Sequence, residues 1–375
     1  MPHSDIAAMR EHLASYDQEH VLQFWDQLEP LEQQALARQV EQIDLQLIQD
    51  LYRSVDESPR DSGESSGDRN GQDWESLARR ALPPQALRLA EWSDGSDSSC
   101  KGVSSSNGAS NAGPLLGCTQ TAARERGMEA LRAGKVGVLL VAGGQGTRLG
   151  FELPKSLFPI GPQSESTLLQ IHVEKVRAAS QRYGVSIPLY LMTSPATHEA
   201  TVQFLQQHDR LGLDESQLFV FCQGLMPAVD IQTGKLLMSD VGEVFMSPDG
   251  HGGTIAALAA SGAIDHMDDH GIEQLFYLQV DNPLAPVGDP DLIGAHLLSD
   301  SEMTSLAIAK SGPLDRLGNF VMLDHRLQII EYSDFPTDVA ERCNDSGELV
   351  FWAGSVAIHV FQVEFLRRSL ALKEA

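Results

Sequence analysis

Residues 136–156 read VGVLLVAGGQGTRLGFELPKS. The opening run, VGVLLVA, is apolar without interruption and ends abruptly in glycine. It is too short to span a bilayer and has the length of a strand buried on both faces. Gly143-Gly144-Gln145-Gly146-Thr147-Arg148-Leu149-Gly150 follows, with four glycines in eight residues. Such a turn brings bare backbone close to a ligand, so that its N–H groups face phosphate oxygens. Arg148 adds a forked cation and Lys155, over the loop, a mobile one. Two common phosphate loops fail on detail. A P-loop needs Gly-Lys followed by Ser or Thr. A dinucleotide fingerprint needs glycine where Leu149 stands and an acid ending the next strand, which here ends Met192-Thr193-Ser194.

Outward from this loop, short β-rich runs alternate with helical ones: IPLYLMTS, LFVFCQ, LFYLQVDN, TSLAIAK and VFWAGSVAIHVF, with TLLQIHVEKVRAAS, ATVQFLQQH, TIAALAASGAI and PDLIGAHLL between them. Alternation of this kind predicts a Rossmann-like α/β fold with a mainly parallel sheet and helices on both faces. Ligands then sit at the carboxyl ends of the strands, so the residues just after each strand are the candidates. Asp281 ends LFYLQVD, where it suits a metal ligand holding phosphate and equally a turn Asp before Asn282-Pro283. Gln223 follows LFVFC and has the donors and acceptor to read the edge of a ring. Gly250-His251-Gly252-Gly253 opens a helix whose N-terminus can face an anion. Thr167-x-x-Gln170 reads as a capping box.

Three segments are expected: helices over 1–53, where Leu13, Val21, Leu22, Phe24, Trp25, Leu28, Leu31, Leu36, Val40, Ile43 and Leu47 recur at helical spacing; a mobile Ser/Gly/Asp-rich linker over 54–119 with a short docked helix within WESLARRALPPQALRLAEW; and the α/β domain over 120–375. Lys and Arg number 27 against 52 Asp and Glu, a net charge of −25, which excludes a broad nucleic-acid or anionic-membrane surface but not a small phosphate pocket. Cys100, Cys118, Cys222 and Cys343 are scattered without zinc or disulfide spacing. The start, MPHSDIAAMREHL, lacks a leader pattern, and the expected location is the cytoplasm.

LLVAGGQGTRLGFELPKS resembles the signature of the eukaryotic-type UDP-sugar pyrophosphorylases (the UDPGP type 1 family), with the UDP-N-acetylhexosamine pyrophosphorylases the nearest likeness. EHVLQFWDQLEPLEQQALARQVEQID, LYLMTS, CQGLMPAVD, GKLLMSDVGEVFMSPDGHGG, VDNPLAPVGDP, IIEYSD and FWAGS are similar to the same family, in the same order. The resemblance implies a uridylyltransferase joining UTP to a sugar 1-phosphate with Mg²⁺, N-acetylglucosamine 1-phosphate being the expected sugar. It implies UTP contacts at Ala142, Gly143, Gly144, Gln223 and Gly250, catalytic roles for Arg148, Lys155 and Asp281 with the metal on Asp281, and sugar contacts at His251, Glu331, Tyr332 and Ser355. Departures from the family pattern are His251 and Ser355, where the N-acetylhexosamine enzymes usually carry Asn, and Ser156, where they carry Gly. Pro-Lys-Ser and Gly-His-Gly are reminiscent of UDP-glucose and broad-specificity enzymes, which form the alternative. Family members also generally run well past FWAGSVAIHVF, with a later phosphate-gripping lysine. A shortened, partner-completed or catalytically impaired nucleotide-sugar-binding protein is therefore a rival expectation.

Overall fold

The computed structural model describes residues 3–56, 74–84, 86–89, 92 and 119–371. Most of the Ser/Gly/Asp-rich linker lies outside the described residues. The chain forms two compact units, one of residues 1–77 with 224–250, the other of 78–223 with 251–375. No helix among the described residues is long and apolar enough to cross a membrane. In chain order the strands are β1 (Val136–Val141), β2 (Leu189–Thr193), β3 (Leu218–Cys222), β4 (Leu225–Pro227), β5 (Met238–Asp240), β6 (Glu243–Val244), β7 (Met246–Pro248), β8 (Gln274–Gln279), β9 (Met303–Ala309), β10 (Gly318–Leu323), β11 (Arg326–Ile330) and β12 (Ala353–Gln362).

The smaller unit packs helices His3–Ala14, Pro30–Gln42 and Leu45–Asp56 with the β4–β7 and β5–β6 hairpin pairs. Its core gathers Leu13, Val21, Leu22, Trp25, Leu36, Val40 and Ile43 with Leu236 and Val244 of the hairpins. Phe24, Leu31 and Leu47, members of the same helical series, are instead exposed, because three short helices cannot turn every apolar position inward. Gln18 is buried and fastens the hairpin by donating to Gly234 O at 3.0 Å and accepting from Leu236 N at 2.8 Å.

The larger unit holds the eight-stranded sheet, ordered β11-β10-β12-β8-β1-β2-β3 with β9 on β12. β8, β1, β2 and β3 are parallel neighbours, the core that the alternating sequence predicts. β12 then runs antiparallel to β8, β9 and β10, and β11 closes a hairpin with β10. Helices cover both faces. Val138, Leu140, Phe276 and Leu278 meet Leu169, Val173 and Ile293 on one side; Leu139, Val141, Tyr190 and Tyr277 meet Leu258, Met267 and Leu366 on the other. Each such side chain contributes roughly 1.5–3 kcal/mol when fully buried. The apolar run at 136–142 is hydrophobic throughout because both its faces are covered.

Helices Gln120–Arg132 and Pro290–Leu298 cross unusually closely. A Cβ on Gly294 would lie 1.6 Å from Ala123 O, and one on Gly127 would lie 2.0 Å from Pro290 O. The end of the short helix Trp74–Arg80 and the residues after it join the same unit: Arg79 pairs with Asp338 at 2.6 Å, and Leu82 bridges Met322 of β10.

Candidate active site

Parallel order forces the residues after β1, β2, β3 and β8 to one edge of the sheet, and the glycine loop leaves from the middle of that edge. Ala142 still bonds the sheet, its N–H donating to Met192 O at 2.7 Å. The chain then closes a lasso: Gly146 N–H donates to Leu153 O at 3.2 Å and Lys155 N–H to Gly144 O at 3.0 Å. Two glycines here are structural necessities. A Cβ on Gly146 would lie 2.7 Å from Leu153 O and 2.8 Å from Phe151 O, and one on Gly143 would lie 2.5 Å from Gln223 Oε1. Ser194, after β2, is buried and donates its hydroxyl to Gly143 O at 2.7 Å, accepting in turn from Thr197 Oγ1 at 3.0 Å. Gln223, after β3, is buried against the loop, its own N–H bonded to Thr193 O at 2.8 Å. Arg148 stands exposed on the outer turn Thr147–Leu149 and has no ion-pair partner among the described residues.

The neck of the lasso places Lys155 over the end of β8, where its Nζ donates to Asp281 Oδ2 at 2.8 Å. Both side chains remain partly exposed, at 32% and 45%. The turn carrying Asp281 is fixed from behind by helix Leu168–Tyr183. His172 Nε2 donates to Val280 O at 3.0 Å, and Lys175 donates to Pro283 O and, at 3.0 Å, to Ala285 O. Burial pushes the His172 imidazole down to about 4, so at neutral pH it is an uncharged strut, and it also lowers the Lys175 ammonium below the usual lysine range. Neither residue, nor Ser194, announces itself in the sequence. Each sits on an ordinary helical or strand-end position and gains its role from what the fold brings opposite.

Two of the remaining candidates, Ser355 and Glu331, lie past the carboxyl end of β8. β12 borders β8 through His359–Gln362 and, beyond a bulge between Ser355 and Ile358, borders β10 through Gly354 and Ser355. Ala357 within the bulge has φ 51°, in the left-handed region. Ser355 lies opposite Gly318, and Glu331 follows β11 beside it, its Oε1 3.3 Å from where a Gly318 Cβ would stand. Glu331 and Tyr332 are both exposed. Behind them, buried Lys310 donates to Asn319 Oδ1 at 2.7 Å, and Asn319 Nδ2 donates to Ile330 O at 3.4 Å, next to Glu331. Burial lowers the Lys310 ammonium below its ordinary value.

The structure thus brings Ala142, Gly143, Gly144, Lys155, Gln223 and Asp281 to one edge, with Ser355 and Glu331 beyond Asp281. His251 opens the turn His251–Gly253 in the same unit, whereas Gly250, at φ 70°, belongs to the smaller unit.

A parallel α/β core with a glycine lasso, a lysine–aspartate pair and polar strand ends along one edge belongs to the class of open α/β folds that take ligands at the carboxyl ends of their strands. The sequence profile of the family described as UTP–glucose-1-phosphate uridylyltransferase matches residues 116–374, and the chain belongs to that family. It is 32% identical over 357 residues to the Xenopus tropicalis UDP-N-acetylhexosamine pyrophosphorylase-like protein 1, covering 93% of this chain and 64% of that protein. It is 35% identical over 247 residues to the Saccharomyces cerevisiae UDP-N-acetylglucosamine pyrophosphorylase, covering 65% and 52%. Among solved structures, a putative UDP-N-acetylglucosamine pyrophosphorylase from Entamoeba histolytica matches at 30% identity and TM-score 0.61 over 67% of this chain and 64% of that one. The Trypanosoma brucei enzyme in complex with inhibitor shares the fold at TM-score 0.73 and 24% identity, over 100% of this chain and 70% of that one. The chain therefore spans less than two thirds of the Xenopus and yeast proteins.

Proposed function

We propose that this protein transfers the uridylyl group of UTP to a sugar 1-phosphate and releases pyrophosphate. The observation that carries the reading is the Lys155–Asp281 contact of 2.8 Å at the mouth of the glycine lasso. It sets a mobile cation and a metal-competent carboxylate at the position where a triphosphate held by the loop would lie. The reaction is an in-line displacement: an oxygen of the sugar 1-phosphate attacks the α-phosphorus, and the bond to the β-phosphate oxygen breaks. The nucleophile is already anionic, so no general base is needed. The protein's work is to align two mutually repelling anions and to neutralise charge on the departing pyrophosphate. Lys155 and Arg148 would supply positive charge, the loop N–H groups aligned donors, and the buried Gln223 amide would read the uracil edge.

The residues fit a hard divalent cation such as Mg²⁺. Among the described residues no three His, Cys, Asp or Glu side chains converge as a protein-only cage, and Asp281 stands as a single accessible carboxylate already holding a cation. One carboxylate completed by phosphate oxygens and water is the usual Mg²⁺ arrangement, and the ion would neutralise charge on the phosphates. Glu331, Tyr332, Ser355 and His251 are proposed on the sugar side. N-acetylglucosamine 1-phosphate is favoured by the names of the relatives; glucose 1-phosphate is the alternative, favoured by His251, Ser355 and Ser156. Pyrophosphate release from UTP and Mg²⁺, measured across a panel of sugar 1-phosphates, tests both. Release with neither sugar would overturn the transferase reading, and a strong preference for the acetylated sugar would reject the alternative.

A further inference from the structure

Asp281 comes with a cation of the chain's own against its carboxylate. Its Oδ2 already has an ammonium at 2.8 Å, and among the described residues Lys155 has no other side-chain partner. We infer that Lys155 is a placeholder cation, which occupies the metal's position on Asp281 and is drawn off it by nucleotide phosphate, so that the divalent ion binds with the nucleotide and not before it. The inference rests on the transferase reading and concerns how its two cations share one carboxylate.

Three observations support it. First, Lys155 is tethered at the base and free at the tip. Its N–H is bonded to Gly144 O at 3.0 Å, which fixes the Cα beside the loop, while the side chain is one third exposed and can swing. Secondly, the glycine loop and Asp281 both lie within reach of that one side chain. The same residue that closes the lasso extends over it, since the nearest atom to a Cβ on Gly144 would be Lys155 Cδ at 3.9 Å. Thirdly, the backbone of the Asp281 turn is anchored on both sides by His172 and Lys175, whereas Lys155 carries its ammonium on a long, flexible stem, so the lysine is the partner with the greater freedom to swing away. A single carboxylate competing with a built-in ammonium holds a divalent ion weakly. Once phosphate oxygens attract Lys155, the same carboxylate is released while those oxygens complete the coordination. Both changes favour the ion at the same moment, and by reciprocity the ion must tighten nucleotide binding by the same factor.

The test uses Mn²⁺ as the metal probe and the full chain. Free Mn²⁺ is followed by its electron paramagnetic resonance signal without nucleotide, and UTP binding by equilibrium dialysis with and without Mn²⁺, in the wild type, Lys155→Gln, Lys155→Arg and Asp281→Asn. The expected result is that Lys155→Gln binds Mn²⁺ alone at least tenfold more tightly than the wild type, that Lys155→Arg stays within threefold of the wild type because it keeps a cation, and that Asp281→Asn loses the Mn²⁺ effect on UTP. Mn²⁺ affinity equal in the wild type and Lys155→Gln, with UTP still bound and still tightened by Mn²⁺, would overturn the placeholder role and leave the transferase reading standing. Failure of the wild type to bind UTP under any metal condition would instead overturn the reading on which the inference rests. Circular dichroism of each variant separates loss of metal from loss of fold.

Discussion

Replacing Gly143 by alanine adds one methyl group in contact with one buried amide, and its outcome can be worked from the geometry. The new Cβ would lie 2.5 Å from Gln223 Oε1, 3.3 Å from Gln223 Cδ and 3.4 Å from Ser194 Cβ. Gly143 is not in the left-handed region, so the backbone accepts alanine and only the neighbours must yield. The clash is with the end of a side chain, which can retreat by about 0.5–1 Å at a cost of ~1 kcal/mol. That retreat removes the amide from its place at the proposed uracil edge. An amide hydrogen bond lost from a desolvated site costs about 1–3 kcal/mol, and the expected fall in UTP affinity is roughly 5- to 150-fold. Isothermal titration of UTP with Mg²⁺ measures it, and a double-mutant cycle locates it: in a Gln223→Ala background, Gly143→Ala should cost almost nothing further. A denaturant melt of Gly143→Ala itself is the folding control. Wild-type UTP affinity in Gly143→Ala, or full additivity with Gln223→Ala, would refute the assignment of Gln223 to the base.

Asp281→Asn should lower turnover by on the order of 100-fold or more while moving stability by less than about 1 kcal/mol, since the ion pair it breaks is partly exposed; steady-state pyrophosphate release and a denaturant melt check the two halves. Gly294→Ala drives a methyl into Ala123 O, a backbone atom that cannot rotate away, and should cost ~2–3 kcal/mol in calorimetry; an unchanged Tm would contradict the close helix crossing. Acid should destabilise the fold through His172 and His296, both held down to about 4 by burial. Their unfolded values lie near 6.5, so between about 6.5 and 4 the unfolded chain binds protons that the native one refuses. Their contribution is therefore whole above that window and falls as pH drops through it, by about 1–2 kcal/mol per histidine at pH 5. His296 pairs with Thr304 Oγ1 at 2.9 Å and Gln274 Oε1 at 3.0 Å, and His296→Gln should flatten the slope by about half; equal slopes would count against it.

Local pattern carried much of this architecture. The uninterrupted apolar run before Gly143 predicts a strand covered on both faces, and it is the central strand β1. The rule that ligands meet strand ends singles out Gln223 and Asp281 before any coordinates, and both lie at that edge. Pairing partners were not legible, because nothing local to LFYLQVD says that it lies beside β1 and not beside β3. GNFVML and RLQII, which form the β10–β11 hairpin, carry no turn chemistry that marks them out in advance; the turn residues Asp324 and His325 adopt positive φ without a glycine. Lys155 was legible as a cation, but not its Asp281 partner 126 residues away. The hydroxyl of Ser194 and the imidazole of His172 act on backbone carbonyls, which sequence does not distinguish from one another.

β12 has a consequence for how errors propagate. One strand supplies the neighbour of β8 at its lower end and of β10 at its upper end, so a slip of one position along β9 would turn every one of its side chains to the opposite face. Alignment of the Asp281 end and of the Ser355–Glu331 end would then fail together. Seating β12 in register therefore sets the borders with β8 and β10 at once.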